Sequence, residues 1–206
     1  MSAKIIDGKE IARKVRSDIK AQVEKLKEAG LTPGLAVILV GTDPASQVYV
    51  GNKEKACKEV GFHSEVYRLP EETSQDELLN LIEKLNHDEK IHGILVQLPL
   101  PSHLDEKLVI NKISAQKDVD GFHPLSAGAL FVGEKSLVPC TPKGCIHLIK
   151  ETGLDLKGKK AVVVGRSNIV GKPVSILLLN ENATVTICHS RTQNLKEELL
   201  QADVVV

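Results

Sequence analysis

The sequence predicts an α/β fold built on mostly parallel sheets, and three observations carry that expectation. Stretches of helical periodicity alternate with short apolar runs along most of the chain. The apolar runs are bounded by Gly and Pro, as buried strands are. Aromatic residues make up only 2% of the 206 residues and Trp does not occur, so the core must be assembled from Val, Ile, Leu and Ala. Parallel strands covered by helices have that composition.

The elements follow in order. Asp7 with Glu10 three residues on reads as a helix start, and Ile11, Val15, Ile19, Val23 and Leu26 mark one stripe that Gly30 ends. Leu35 to Val40 is a buried strand. Asp43-Pro44 opens a second helix that runs to Gly61, and His63 to Leu69 is a second strand. Ser74 and Glu77 cap a third helix with Leu78, Leu81, Ile82 and Leu85 inward. His92 to Gln97 is a third strand, stopped by Leu98-Pro99-Leu100-Pro101. A helix near His103 to Ile113 and a polar loop from Ser114 to Asp120 follow. The prolines of Leu137-Val-Pro139-Cys-Thr-Pro142 mark a domain joint, dividing the chain into 1–138 and 139–206. Beyond it come a helix from about Pro142 to Lys150, a strand Lys160–Val164, a helix Gly171–Asn180 and a strand Thr184–Cys188. Asp203 to Val206 reads as a last strand, and a natural chain longer than this one is expected, because a buried strand rarely ends a protein.

Composition narrows the function classes. Lys+Arg and Asp+Glu both count 27, so no overall charge points to nucleic acid or an acidic membrane surface. The four cysteines form no Cys-x-x-Cys pair, and neither a disulfide framework nor a structural metal is expected. The N-terminus has no apolar signal core, and no apolar run approaches the ~20 residues of a membrane span. The expected location is the cytoplasm.

Ala161-Val-Val-Val-Gly165-Arg-Ser167-Asn-Ile-Val170-Gly171-Lys-Pro173 is a strand, a tight turn and a helix. A Rossmann-type fold places a pyrophosphate there, at the positive end of the helix. Gly165 takes the first place of the Gly-x-Gly-x-x-Gly pattern, Ser167 the second and Val170 the third, with Gly171 just beyond. A P-loop would need four residues between its glycines and a hydroxyl after the lysine; here there are five, and Pro173 replaces the hydroxyl. A glycine turn used only for packing is the remaining reading. At the end of the next strand stands His189-Ser190-Arg191-Thr192, with no carboxylate to hold a ribose 2′-hydroxyl. Arg191, Ser190 and the nearby Arg166 suit a 2′-phosphate, so NADP is expected over NAD, unless the loop is an ordinary basic surface.

In the second helix Ala45, Tyr49, Ala56 and Val60 are expected to share one inward face, and Lys53 falls in that stripe one turn from Tyr49. A lysine in a dry site loses its proton more easily and becomes a usable acid or base; the alternative is a lysine whose head snorkels into water. Gln97 closes a strand at the sheet edge where open α/β folds bind ligands. Asp120 sits before Gly121 in a turn-like loop, where an Asx-turn is the plain alternative. Cys140 is expected to be a packed small side chain rather than a nucleophile.

Taken together, Ser46-Gln-Val-Tyr49-Val-Gly-Asn-Lys53-Glu-Lys-Ala-Cys57, Gly93-Ile-Leu-Val-Gln97-Leu-Pro99-Leu-Pro101, Lys117-Asp-Val-Asp120-Gly-Phe-His123, Pro139-Cys-Thr-Pro142 and Val164-Gly-Arg-Ser-Asn-Ile-Val-Gly-Lys-Pro173 resemble the bifunctional methylenetetrahydrofolate dehydrogenase/cyclohydrolases. The resemblance spans nearly the whole chain. It implies a three-layer α/β folate-binding catalytic domain over 1–138 and the start of a Rossmann-type NADP-binding domain over 139–206, incomplete because such proteins continue with further strands and a returning helix. It implies that Lys53 is the proton carrier of the cyclohydrolase step and that Tyr49 packs on and orients the folate; because a protonated lysine would oppose the methenyl cation, Lys53 is expected to be at least partly neutral during turnover. By the same resemblance Gln97 holds the lysine, Asp120 bonds the pterin and Pro99 and Pro101 wall the folate site. Gly165, Arg166, Ser167 and Ser190 match NADP contacts, with Arg191 a further one. A cleft between the domains, a folate substrate and a homodimer are implied as well. A single-activity relative, a shikimate-dehydrogenase-type NADP oxidoreductase and a non-catalytic NADP-binding protein stay open as alternatives, the second disfavoured by Tyr49, Lys53 and Gln97 together.

Overall fold

The computed structural model describes residues 3–206, which divide into two compact units. One comprises Lys9–Val119; the other comprises Asp120–Val206 with the N-terminal residues up to Gly8.

The Lys9–Val119 unit holds a three-stranded parallel sheet, β1 (Gly34–Val40), β2 (His63–Leu69) and β3 (Gly93–Val96), in the order β2-β1-β3. Period-2 alternation sends successive β1 side chains to opposite faces. Ala36, Ile38 and Val40 pack with Ile94 and Val96 against Leu78, Ile82 and Leu85 of α3 (Gln75–His87) and Val109 of α4 (Glu106–Lys112). Val37 and Leu39 pack with Leu95 against Val50 of α2 (Pro44–Val60) on the other face. Both faces are therefore covered, giving the three layers expected, and the near-continuous apolar run of β1 has its physical reason.

Local signals set the helix ends. The Asp43 side chain accepts from the Ser46 amide at 2.7 Å to cap α2, and Gly61 closes the helix in the left-handed conformation at φ 86°. Ser74 and Glu77 form a reciprocal capping box at α3. α1 (Gly8–Glu28) keeps the predicted stripe, but only Val23 is fully buried and Leu26 is exposed. The segment predicted as a polar loop after α4 adds to the sheet: the Ile94 amide donates to the Lys117 carbonyl at 2.7 Å, and Asp118 bridges β3 in parallel.

The other unit carries α5 (Pro124–Val132), α6 (Cys140–Glu151), β4 (Lys160–Val164), α7 (Gly171–Asn180), β5 (Thr184–Cys188), α8 (Leu195–Leu200) and β6 (Val204–Val205). Its sheet is also parallel, in the order β5-β4-β6, so β5 and β6 are added on opposite sides of β4. Ala161 and Val163 face Ile146 of α6 and Val174 and Leu178 of α7. Helices α5 and α8 were not foreseen. Cys140 corrects the expectation of a packed thiol: Pro139, Pro142 and Ile146 define the buried side of α6, Cys140 lies off it, and its side chain is exposed.

A lysine anchored to a strand end and a glycine turn in the other unit

The inward stripe of α2 is Ser46, Val50, Cys57 and Val60, not the set that begins at Ala45 and Tyr49. Ala45 and Tyr49 are exposed, the latter at 61%, because the helix is rotated by about one residue from the predicted phase. Ser46 can occupy a buried place because its amide is satisfied by Asp43. Lys53 lies three residues after Val50 and four before Cys57, within the true stripe, and is half-buried.

That placement aims Lys53 at the end of β3. Its Nζ donates to Gln97 Oε1 at 2.8 Å. Gln97 Nε2 donates in turn to the Leu98 carbonyl at 2.7 Å, and the Gln97 amide nitrogen of the main chain donates to the Ile38 carbonyl at 2.8 Å. The side-chain amide is thus fixed in one sense, with oxygen toward the amine and nitrogen toward a carbonyl. Gln97 is held by the sheet and holds Lys53. Tyr49 stands one turn before Lys53 with its ring in solvent, free to present a face to a planar ligand. Pro99 is exposed, while Pro101 is half-buried near Gly41, at the loop that leads into α2.

The opposite flank of α2 is different. Glu54 points there and bonds Arg68 of β2 at 3.3 Å and Lys58 at 2.8 Å, and these hydrogen bonds, Lys58 first, hold its carboxyl below the usual range. A cavity of about 490 Å³ lies on that side, lined by Gly41, Thr42, Gln47, Arg68 and Pro70 among others. It does not include Lys53, so the lysine site is defined by its hydrogen bonds and not by enclosure.

Asp120 opens the other unit; it is half-buried and followed by Gly121 at φ 66°. A Cβ at Gly121 would stand 2.7 Å from the Leu137 carbonyl oxygen, so glycine is required there.

In that unit Gly165 follows β4 at φ 141°, with open space where a Cβ would be. Ser167 Oγ accepts from the amides of Val170 and Gly171, both at 3.2 Å, which leaves its hydroxyl hydrogen as a donor to an outside group. A Cβ on Gly171 would stand 2.3 Å from the Gly165 carbonyl oxygen. Gly171, and not Val170, is therefore the glycine of close helix–strand approach, and the turn is one residue longer than the usual pattern. The register Val164↔Cys188 sets the ends of β4 and β5 side by side, and the Gly165 amide donates to the Cys188 carbonyl at 2.8 Å. Arg166, Ser167, Ser190 and Arg191 are all exposed at that common edge. The loop after β5 is closed on itself by the His189 amide to Thr192 Oγ1, at 2.8 Å, and the Arg191 amide to His189 Nδ1, at 3.1 Å. Neither Arg166 nor Arg191 forms an ion pair among the described residues. A dinucleotide carrying an extra phosphate fits these residues: a glycine turn without side-chain obstruction, a free hydroxyl donor, two unpaired guanidiniums and no carboxylate.

Parallel α/β sheet, amine fixed at a strand end and phosphate-type glycine turn together define the class of two-unit, dinucleotide-dependent α/β enzymes. The chain belongs to the tetrahydrofolate dehydrogenase/cyclohydrolase family: residues 6–120 match the model of its catalytic domain and residues 139–206 that of its NAD(P)-binding domain. It is 63% identical to the bifunctional protein FolD of Moorella thermoacetica over 206 residues, all of this chain and 74% of that one. The crystal structure of the bifunctional FolD methylenetetrahydrofolate dehydrogenase/cyclohydrolase of Campylobacter jejuni superposes with a TM-score of 0.96 at 48% identity, covering 99% of this chain and 73% of that one. The Trypanosoma brucei methylenetetrahydrofolate dehydrogenase-cyclohydrolase, solved with NADP cofactor and an inhibitor, gives 0.95 at 37% identity over 100% and 72%. No described helix is long and apolar enough to cross a membrane, and no group of three or more His, Cys, Asp or Glu among the described residues could hold a metal ion.

Proposed function

We propose that the chain oxidises 5,10-methylenetetrahydrofolate to the 5,10-methenyl form with NADP and hydrolyses that form to 10-formyltetrahydrofolate. The observation that carries the proposal is the amine of Lys53, fixed at 2.8 Å on Gln97 at the carboxyl end of a parallel sheet. Bound NADP supplies the hydride acceptor. Gly165, Arg166, Ser167, Ser190 and Arg191 would hold it, the guanidiniums and serine hydroxyls being the donors suited to its phosphates.

The folate is held by residues 1–138, and residues 139–206 hold the dinucleotide. Tyr49 stacks on an aromatic ring of the substrate, Asp120 bonds the pterin, and Pro99 and Pro101 limit the site. Lys53 is the proton carrier at the methenyl cation. It accepts the proton of the water that attacks the methenyl carbon, and then donates a proton to the ring nitrogen released as the five-membered ring opens. Gln97 keeps the amine on one trajectory through both transfers, which is the orientation effect expected of a fixed general base. The protein acts as a homodimer in the cytoplasm.

Mixing the protein with methylenetetrahydrofolate and NADP tests the reading. Absorbance of the reduced cofactor should rise, with methenyl product appearing and then decaying. Reduced cofactor without methenyl decay would reduce the function to dehydrogenation alone, and cofactor binding without turnover would remove both activities.

A further inference from the structure

We infer that His189 and Thr192 are positioning residues for the choice of cofactor. They hold the turn whose two corners are Ser190 and Arg191, and so set the preference for NADP over NAD without touching the dinucleotide. The inference rests on the reading in which Ser190 and Arg191 meet the 2′-phosphate, and adds what aims them.

Residues 189–192 close on themselves through three hydrogen bonds. The Thr192 amide donates to the His189 carbonyl at 2.8 Å, which makes the segment a β-turn with Ser190 and Arg191 as its central pair. The His189 amide donates back to Thr192 Oγ1 at 2.8 Å, and the Arg191 amide donates to His189 Nδ1 at 3.1 Å. The last bond has the connectivity of an Asx-turn, with an imidazole nitrogen in place of the side-chain oxygen. Neither Ser190 nor Arg191 has a positive φ, so the turn is not of a type that wants glycine there, and its corners carry side chains without strain. The two supporting residues are half-buried, while the two corner residues are exposed.

Little else fixes the corner. Arg191 forms no ion pair among the described residues, so no carboxylate sets its direction. Helix α8, which follows, has no fully buried residue, so packing beyond the turn does not clamp it. On the other side the chain is anchored: the Cys188 carbonyl, one residue before His189, accepts from the Gly165 amide at 2.8 Å. The bonds within 189–192 carry that anchoring on to the corner. A guanidinium and a hydroxyl ordered before the ligand arrives cost less entropy on binding. NAD has no 2′-phosphate and gains nothing from that order.

The test is the dissociation constant for NADP and for NAD, by titration calorimetry without folate. Thr192→Val keeps the side-chain shape and removes the acceptor. It should weaken NADP about three- to tenfold, the worth of one net hydrogen bond, and leave NAD within about twofold. Thr192→Ser should bind as the parent does. His189→Phe should weaken NADP to a similar degree, and His189→Asn, whose side-chain oxygen stands in for Nδ1, should restore it. In a Ser190→Ala/Arg191→Ala background Thr192→Val should add nothing, because its effect passes through those two side chains. If the parent binds NADP no tighter than NAD, or if Ser190→Ala/Arg191→Ala binds NADP as the parent does, the reading of the corner is overturned and the inference with it. If that double variant loses NADP while Thr192→Val and His189→Phe bind as the parent, or lose both dinucleotides equally, the positioning role alone is overturned. A further loss from Thr192→Val in the double background also overturns it, since Thr192 would then touch the phosphate itself.

Discussion

Lys53 Nζ and Gln97 Oε1 meet at 2.8 Å although 44 residues separate them, the one carried by α2 and the other by the end of β3. The bond works through two different constraints. The helix stripe turns the lysine inward, and the bonds of Gln97 to the Ile38 and Leu98 carbonyls fix the acceptor. Gln97→Ala should leave methylene oxidation largely intact and slow methenyl hydrolysis by about tenfold or more, since the amine keeps its chemistry but loses its direction. Gln97→Glu should slow it further, because a carboxylate holds the amine protonated. Stopped-flow decay of methenyl absorbance separates the variants, and hydrolysis at the parent rate in Gln97→Glu would contradict the positioning role.

Arg191 is expected to set the choice of cofactor. Its removal deletes a charge-assisted hydrogen bond of ~1.5–3 kcal/mol, so Arg191→Ala should raise KM for NADP by about ten- to a hundredfold while KM for NAD changes little. Steady-state measurements with both dinucleotides check this. An equal loss for both would place the arginine away from the 2′-phosphate.

Gly171→Ala places a methyl 2.3 Å from a main-chain oxygen, which no side-chain rotation relieves. The expected loss is ~1–3 kcal/mol of stability by denaturant titration, together with loss of NADP binding. The same change at Gly128, whose Cβ would meet nothing within 4 Å, should leave stability unharmed.

The alkaline limit of stability should depend on β2. The Tyr67 hydroxyl donates to the Glu65 carboxylate, and this bond, followed by burial and the carboxylate charge, pushes the phenol up to about 12. Between about 10 and about 12 the unfolded chain releases that proton and the folded one keeps it, so stability falls as pH rises through this window. Glu65 is held below the ordinary carboxylate value by Tyr67 first and then His63, so its contribution is present above that value and is lost as pH falls through the folded one. Tyr67→Phe should flatten the alkaline fall in melting temperature measured across pH 9 to about 12.

Much of this architecture could be read from residue order. The limits of β2, β4, α7 and β5 agree with the sequence reading because glycines, prolines and polar neighbours bound them sharply. Ser74 and Glu77 announced their helix through the capping box. Helix α5 stayed hidden because it is apolar on every side with Gly128 inside it, so it has no period to detect, and α8 because it has six residues and buries none of them. The phase of α2 was misread for a related reason. A buried Ser46 looks polar and an exposed Tyr49 looks apolar, so the pattern shifts by one residue when hydrophobicity alone is counted. Lys53 survived that shift because it lies near the middle of either stripe. The place of Gly171 depended on the length of a turn that the usual glycine spacing does not describe.

The most direct measurement is single-turnover hydrolysis of methenyltetrahydrofolate by Lys53→Met beside the parent. Methionine keeps much of the length and apolar stem of lysine and removes the amine, so folding and folate binding should persist while the rate falls by about 10² to 10⁴, the usual contribution of a positioned acid–base group. Hydrolysis at the parent rate, with folate still bound, would contradict the account at its centre.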